Sequence, residues 1–519
     1  MSNRESYMFW RLAFSLISEH GYRIIQLFEN QRELWLEKLE NKHAPIIRLL
    51  QGNFDWSNAL QRDIEHATHN GESVRKQLNR HDLQVVSIYI SELPPVDEYE
   101  YRFSKPFLHP EGKTTVHSFL LAKELYEQGF ESLKNKVYLD LSFPIKDEYN
   151  ETEVESLKRE TVEFAVNRVK TERAILSNGK PLFTYVFMFI QLAIFLWMQL
   201  HGGSTNTSTL IKYGAKVNQL IYEGEWWRFI TPVFLHIGFL HLVMNTLALY
   251  YLGIAVERIY GNSRFPFIYL FAGFTGVIAS FLFSTHLSAG ASGAIFGCFG
   301  ALLYFGIMYP KLFFRTMGWN VIIVLILNLM FGFSTSGIDN AGHLGGLVGG
   351  FLAAGIVHFP KAKKPLLQLL FLVISAVVIW GSLTYGFSAS GQALDEDSSI
   401  MLAQDYIKQE KFDQAYDVLN NYKKNSTEPT ERIYFLLSYV EMKKDMLSEA
   451  KENLQKAIKL DPKFHEAYFK LALINLEQND LQQAKSNAEM AAKLKPNQKE
   501  YTDLVSEISQ HLKSSGEGE

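Results

Sequence analysis

The chain has 519 residues, of which 47% are hydrophobic and 20% are charged, and its formal net charge is −4. This balance argues against a nucleic-acid-binding protein, because neutralising a phosphate backbone requires an excess of Lys and Arg. The single cysteine, Cys298, excludes a secreted scaffold held together by internal disulfides.

Charged residues are distributed very unevenly along the chain. Residues 182–394 contain only 14 of the 106 Asp, Glu, Lys and Arg residues but 26 of the 34 glycines. A long apolar, Gly-rich block between two charged flanks is typical of a polytopic membrane protein with soluble ends. We therefore expect a soluble domain at residues 1–180, a membrane domain at 181–388 and a second soluble domain at 398–512.

The first soluble domain mixes helical and strand-like patterns. Residues 9–39 and 151–172 are predicted to be mostly helical, whereas residues 83–93 and 137–145 alternate β-branched and aromatic residues as strands do. This mixture predicts an α/β fold.

Four potential metal ligands lie close together in the same domain, namely Asp63, Glu65, His66 and His69. On a helix, His66 and His69 would share a face, a spacing that could bind a divalent metal. A solvated polar helix explains these residues more simply, so the sequence favours that interpretation over a metal site.

Seven uncharged runs follow, and each is close to the roughly 20 residues that a helix needs to cross a bilayer. They are residues 182–200, 229–256, 266–287, 292–309, 317–333, 340–358 and 366–387. The second run is longer than necessary, so its helix is expected to begin near His236 or Leu240.

Lys and Arg residues flank these runs asymmetrically. They cluster before the first run and after the second, fourth and sixth runs, whereas the segments after the third and fifth runs carry none and the segment after the seventh is acidic. The segment after the first run is mixed. Because cytoplasmic segments are enriched in Lys and Arg, we expect a multi-pass protein of the cell membrane with a cytoplasmic N-terminus and an extracytoplasmic C-terminus.

The last part of the chain repeats itself with a period of 34 residues. A Leu-x-x-Ala pattern at 447–450 recurs at 481–484, and Pro462 recurs as Pro496. This period resembles that of tetratricopeptide repeats, whose helical hairpins stack on one another. Such repeats commonly bind peptides or proteins, so we expect an all-α domain with a protein partner.

Three of the apolar runs contain polar residues, which are costly inside a membrane and therefore suggest a function. The second run contains His241 and Asn245, the fourth begins at Ser292, and the sixth contains His343. All three runs cross from outside to inside in the predicted topology. The four side chains are therefore expected at a similar depth, towards the outer face.

Glycines in the fourth and sixth runs would let these two helices approach closely. Their approach would bring Ser292 within hydrogen-bonding distance of His343, and a serine beside an imidazole is an activated nucleophile. Ser292 also begins its helix, where free N–H groups favour a developing oxyanion. His241 and Asn245 could donate further hydrogen bonds to that oxyanion.

Together these motifs resemble those of rhomboid intramembrane serine proteases. The matching features are Trp227-Arg228, His241 with Asn245, Gly-Ala-Ser-Gly at 290–293 and Gly-His-Leu-Gly-Gly at 342–346. The resemblance implies a six-helix core plus one helix, with Ser292 as nucleophile and His343 as general base. It implies that His241 and Asn245 stabilise the oxyanion, and that no metal or cofactor takes part.

The resemblance also implies the substrates, which would be transmembrane proteins cleaved near the outer membrane face during processing or quality control. Arg228 and Glu257 would be structural anchors of the loop after the first run and of the second helix. The overall layout resembles that of firmicute rhomboids with a cytosolic N-terminal domain and C-terminal tetratricopeptide repeats. One departure is Phe296, where many bacterial members have Tyr packed on the catalytic imidazole, and we expect the stacking to survive.

Two other functions fit parts of the sequence. The first is a membrane adaptor that binds transmembrane helices and passes them to other quality-control machinery, although an adaptor would not need Ser292 and His343 at one depth. The second is a transporter, but the runs lack the embedded carboxylates and broken helices expected of coupled transport. Asp339 could mimic the acid of a triad, and we interpret it as a loop residue.

Overall fold

The computed structural model describes residues 2–110, 112–123, 125–141, 143–388, 396–426 and 428–514. The chain forms two compact units, Met1–Ile175 and Leu176–Glu519. The first unit contains α1 (Asn3–Phe14), β1 (Arg23–Leu27), β2 (Glu33–Glu37), β3 (Ile46–Gln51), α2 (Ser57–Gln77), β4 (Leu83–Ile90), α3 (Glu100–Phe103), β5 (Phe107–Leu108), β6 (Thr114–Leu121), α4 (Tyr126–Val137) and α5 (Glu151–Leu176).

The six strands of the first unit form one mixed sheet in the order β1-β2-β3-β4-β6-β5. Strands β3, β4 and β6 are parallel, and the outer strands pair antiparallel. Helices α1 and α4 cover one face, where Phe9 and Leu133 pack with Ile88, and α2 covers the other face through Leu60 and Ile64. Because both faces are covered, β4 is a nearly continuous apolar run.

The α/β class of this unit is as predicted, but two of the predicted elements are wrong. Residues 9–39 are not mostly helical, because the chain turns at Gly21, whose φ is +77°, and continues as the short strands β1 and β2. The described residues of 137–145 form no strand. Helix α4 ends there at Val137, Tyr138 adopts a left-handed φ of 54°, and Pro144 lacks the N–H that a sheet ladder requires.

The membrane region of the second unit is helical. It contains α6 (Phe183–Leu200), α7 (Thr207–Lys212), α8 (Asn218–Tyr222), α9 (Phe239–Tyr260), α10 (Phe265–Phe283), α11 (Ser292–Met308), α12 (Pro310–Phe313), α13 (Trp319–Ser334), α14 (Asn340–Val357) and α15 (Pro365–Gly386). We call residues 201–238, between α6 and α9, the L1 loop.

Six helices of the described chain are long and apolar enough to cross a membrane, with α12 and α13 counted as one continuous span. The remaining apolar helix, α11, has 17 residues. At about 1.5 Å per residue it is about 25 Å long, shorter than a hydrocarbon core of about 30 Å. The count of seven spans therefore stays a prediction.

The C-terminal part of the second unit consists of helical hairpins, as the 34-residue period predicts. Its helices are α16 (Glu396–Lys408), α17 (Phe412–Asn425), α18 (Glu431–Lys443), α19 (Leu447–Leu460), α20 (His465–Glu477), α21 (Leu481–Leu494) and α22 (Lys499–Ser514). The recurring small residues Ala415, Ala450 and Ala484 are fully buried. A larger side chain at these positions would separate the helices of a hairpin, which explains the repeated alanine.

A buried carboxylate lies between the first two hairpins. Glu441 is 2% exposed and accepts two hydrogen bonds from the Asn453 amide, whose oxygen accepts one from Lys423. Burial raises the pKa of Glu441, while the hydrogen bond from Asn453 and the charge of Lys423 oppose the rise and Glu449 and Glu452 add to it. Because this pKa is higher in the folded than in the unfolded chain, ionisation of Glu441 costs stability at pH 7, and that cost disappears as the pH falls towards its unfolded value.

Glu441→Gln is therefore expected to stabilise the repeats at pH 7 by on the order of 1 kcal/mol. When the pH is lowered from 7 to about 5, the wild-type repeats should gain stability because Glu441 becomes protonated. The Glu441→Gln variant should lack this gain. Hydrogen exchange of α18 peptides in the full chain, corrected for intrinsic rates, measures both effects. Glu477→Gln, which removes an exposed carboxylate, is the control, and an unchanged pH slope in Glu441→Gln would contradict the assignment.

Candidate active site

Ser292 and His343 are in direct contact. Ser292 is the first residue of α11, and His343 lies in the first turn of α14. The Ser292 Oγ and the His343 Nε2 are 2.8 Å apart, a hydrogen-bonding distance. His343 is 9% exposed, so the pair is shielded from most solvent. This geometry allows the imidazole to take the hydroxyl proton when the oxygen attacks an electrophile.

The contact depends on an unusually close approach of α11 and α14. A Cβ atom at Gly346 would collide with the backbone carbonyl of Gly293, and one at Gly350 would collide with the carbonyl of Gly297. The two helices thus touch backbone to backbone along these glycines. Any side chain at Gly346 must push α14 away from the helix that carries Ser292.

The imidazole is held by an aromatic ring rather than by a carboxylate. The Phe296 ring stacks on His343 with a centroid distance of 4.3 Å and an interplanar angle of 11°. Among the described residues, the buried His343 Nδ1 has no hydrogen-bond partner. Asp339 instead caps α14 by accepting a hydrogen bond of 2.8 Å from the Gly342 N–H. The contacts of Asp339 are therefore those of a helix cap.

His241 lies beside the pair on α9, and Asn245 lies one turn further along the same helix. A Cβ at Gly290 would lie 3.0 Å from the His241 Nε2 and 3.8 Å from the Ser292 Oγ, so the ring and the hydroxyl border the same glycine. The His241 Nδ1 accepts a hydrogen bond from the Ile237 N–H. The Asn245 amide donates to the His241 carbonyl at 2.9 Å within their own helix.

A cavity of about 20 Å³ adjoins the pair. Its lining includes Ser292, His343, Ser288 and Asp339, but not His241 or Asn245. A water molecule needs roughly 10–15 Å³ of such volume and a few polar partners, so this cavity has room for one.

Comparisons with known proteins identify the family of this chain. The family model "Rhomboid domain" matches residues 223–360, and two tetratricopeptide repeat models match residues 431–464 and 453–486. Rhomboid protease GluP of Bacillus subtilis is 38% identical over 466 residues, which is 88% of this chain and 89% of that protein. The chain belongs to the rhomboid protease family.

Other relatives match a smaller share of this rhomboid. Putative rhomboid protease YdcA of Bacillus subtilis is 34% identical and covers 36% of this chain and 92% of its own length. Rhomboid protease AarA of Providencia stuartii is 28% identical and covers 47% of this chain and 95% of its own length. Among solved structures, the first TPR of Spaghetti (RPAP3), bound to an HSP90 peptide, covers 24% of this chain at 22% identity with a TM-score of 0.22. The rhomboid described here is therefore an intramembrane serine endopeptidase with C-terminal tetratricopeptide repeats.

Two buried charges anchor the rhomboid core. The Glu257 carboxylate accepts hydrogen bonds of 2.8–2.9 Å from the first backbone N–H groups of α6, at Leu182, Phe183 and Thr184. Arg228 is 4% exposed, pairs with Glu225 and donates to two carbonyls of the L1 loop. Glu257 thus fixes α6 to α9, and Arg228 fixes the fold of the L1 loop.

The four metal candidates of the first unit are engaged with other residues or lie apart. Asp63 forms an ion pair with the buried Arg48, Glu65 accepts a hydrogen bond from Gln61, and His66 contacts Asn70. In the described part of the chain, no group of three or more His, Cys, Asp and Glu residues could hold a metal ion. The buried Arg48 offers a structural reason for the position of Asp63.

Sequence reasoning missed Lys216 in the L1 loop. Its side chain is fully buried, and its amine donates to the carbonyls of Ser284 and His286, in the loop that leads to Ser292. In the sequence, Lys216 is only one of the positive charges in the mixed segment after the first apolar run. No local signal in the sequence marks Lys216, because the carbonyls that its amine contacts are 68 and 70 positions away.

Proposed function

We propose that this rhomboid cleaves transmembrane proteins near the outer face of the membrane with a catalytic dyad of Ser292 and His343, in membrane-protein processing or quality control. The observation that carries the proposal is the 2.8 Å contact between the Ser292 Oγ and the His343 Nε2. A serine alone is a weak nucleophile, and an adjacent base activates it.

The reaction follows from this contact. The Ser292 oxygen attacks the scissile carbonyl while His343 takes the hydroxyl proton, and His343 then gives that proton to the leaving amine. Water next attacks the acyl carbon while His343 takes a proton from that water. The ester bond to Ser292 then breaks, His343 gives the proton to the Ser292 oxygen, and the carboxylic acid product leaves. The cavity of about 20 Å³ that borders both residues supports this second step, since it has room for one water.

The start of α11 would stabilise the tetrahedral intermediate. The first backbone hydrogen bond within this helix is donated by Ile295 to Ala291, so the N–H groups before Ile295 are free of intrahelical partners. These N–H groups would be available to an oxyanion formed beside Ser292, and the helix dipole would add to the attraction. His241 would assist through its Nε2 beside Gly290, and Asn245 through the second hydrogen of its amide.

Contacts between the repeats and the L1 loop support seven crossings and a C-terminus on the same side as that loop, which the Lys and Arg asymmetry predicts to be extracytoplasmic. Ser398 of α16 donates a hydrogen bond to Thr285, and Ile400 of the same helix shares a buried core with Leu220 of the L1 loop. The L1 loop and the repeats must then lie on one side of the membrane. Six apolar helices separate them, so the short α11 must cross as well.

The length of α11 also supports an active site below the membrane surface. When the inner end of this helix lies at the inner boundary, its N-terminus stops about 5 Å short of the outer boundary. Ser292 would then meet substrates slightly inside the outer face. Substrate helices would have to unwind there, because a helical backbone keeps its carbonyls in hydrogen bonds.

A fluorophosphonate, which labels activated serines, tests the proposal in the full chain reconstituted in liposomes with a single-span model substrate. We expect the mass-mapped label on Ser292 and not on Ser288 of the same cavity, and a cut in the outer half of the substrate helix. A folded protein that neither labels nor cleaves would favour the adaptor function. In that case the membrane helices and the repeats would bind proteins without hydrolysing them.

A further inference from the structure

The segment that leads into Ser292 is contacted by two other parts of the second unit. We call residues 284–291, between α10 and α11, the site loop, and α16 with α17 the repeat hairpin. The L1 loop contacts the site loop at Ser284, His286, Ser288 and Gly290. The repeat hairpin contacts the residues between them, as described below.

Lys216 makes most of the L1 contacts. Its backbone exchanges two hydrogen bonds with Ser288, of 2.8 and 3.1 Å, and its amine donates to the carbonyls of Ser284 and His286. Asn218 adds bonds from its amide to Phe281 and Ser284. The buried amine thus fixes the site loop as far as His286, and the Lys216 backbone fixes it as far as Ser288, four residues before Ser292.

The repeat hairpin also contacts the site loop. The Ser398 Oγ donates a hydrogen bond of 2.7 Å to the Thr285 carbonyl. Leu287 packs against a buried apolar core that joins the L1 loop to the hairpin. The L1 members of this core are Ile211, Val217 and Leu220, and the hairpin members include Ile400, Leu402, Ala403, Ala415, Val418 and Leu419.

The residues of this core are almost fully buried, as in a stable interface and unlike a chance contact. Val217 and Leu220 are 1% and 4% exposed, and Ile400 is 3% exposed. Burial of such apolar side chains stabilises the packed arrangement. A domain that was only tethered to α15 would leave these residues in water. The repeat hairpin is therefore a structural part of the membrane domain.

We propose that the repeat hairpin and Lys216 position the site loop, and with it the Ser292 hydroxyl, for catalysis. This inference rests on the proposed role of Ser292. The hairpin does not touch substrate at the reacting atoms. It acts through the site loop, whose end sets where α11 begins, and a displacement of about 1 Å can cost about 10²-fold in rate.

Ile400→Asp tests the inference from the repeat side, and Lys216→Met tests it from the L1 side. Each is expected to lower kcat for the model substrate at least about 10-fold and to slow fluorophosphonate labelling equally, with KM within about twofold of wild type. Hydrogen exchange should increase in peptides that cover 284–291 but not in peptides from α10 or α14. Unchanged exchange in α10 and α14 would show that the membrane domain is still folded.

Leu504→Asp is the matched control, because Leu504 is buried in the distal core of α20, α21 and α22, far along the chain from the repeat hairpin. It should leave kcat within about twofold of wild type. The inference is wrong if Ile400→Asp keeps its kcat, if Leu504→Asp loses as much, or if only KM rises, which would mean that the repeats capture substrate. If wild type itself is not labelled at Ser292, the proposed function fails instead.

Discussion

Ser292→Ala and His343→Ala are each expected to lower kcat for cleavage of a single-span substrate by about 10⁴–10⁶-fold, with little change in KM. The first removes the attacking oxygen, and the second removes the base that lies 2.8 Å from it. Because the two residues act as a unit, the double variant should be no slower than either single variant. Product formation in liposomes, followed over hours, gives the rates.

Asp339→Asn is the control that separates a dyad from a triad. Asp339 caps α14 through the Gly342 N–H, and an Asn side chain can accept the same hydrogen bond. We therefore expect kcat within about threefold of wild type, whereas loss of a triad acid costs about 10⁴-fold. A large loss in Asp339→Asn would show that the carboxylate acts on His343.

Gly346→Ala is expected to lower kcat by about 10²-fold while the protein remains folded. The added methyl group collides with the backbone of Gly293, so α14 must move away from α11 and carry His343 away from Ser292. A backbone collision cannot be relieved by a change of rotamer, unlike a contact with a flexible side chain. Cleavage rates in liposomes and the rate of fluorophosphonate labelling of Ser292 should fall together.

Gly381→Ala provides the matched control for this substitution. Gly381 lies within α15, and a Cβ there would meet no other atom within 4 Å. The same change of residue in another membrane helix should thus leave the rate unchanged. Equal losses in the two variants would indicate that any glycine-to-alanine change in these helices harms the protein, and would contradict the role of the close approach.

The sequence was sufficient to predict the Ser292–His343 pair. Both residues stand at helix starts next to glycines, and these are local signals that survive without knowledge of the fold. The stacking of Phe296 was predicted for the same reason, because it lies four residues after Ser292. The shared depth of the polar side chains was instead predicted from the membrane topology, and that topology was predicted from the Lys and Arg residues beside each apolar run.

Other features could not be predicted because their signals are not local. Leu220 and Ile400 are 180 positions apart, and no period or motif connects them. Lys216 looks like any loop lysine until the carbonyls around it are known. In the first unit, residues 9–39 combine one real helix with two short strands, and short strands rich in Leu and Ile cannot be distinguished from helical segments by periodicity alone.

The core that joins the L1 loop to the repeat hairpin affects the order in which the enzyme is completed. Residues 211–220 leave the ribosome long before residues 396–425, which follow the last membrane helix. Their shared core can therefore close only when almost the whole chain has been synthesised and the repeats have reached the same side of the membrane as the L1 loop. The site loop thus gains its full support last. In a chain that is still being inserted, the segment before Ser292 lacks its contacts with the repeat hairpin.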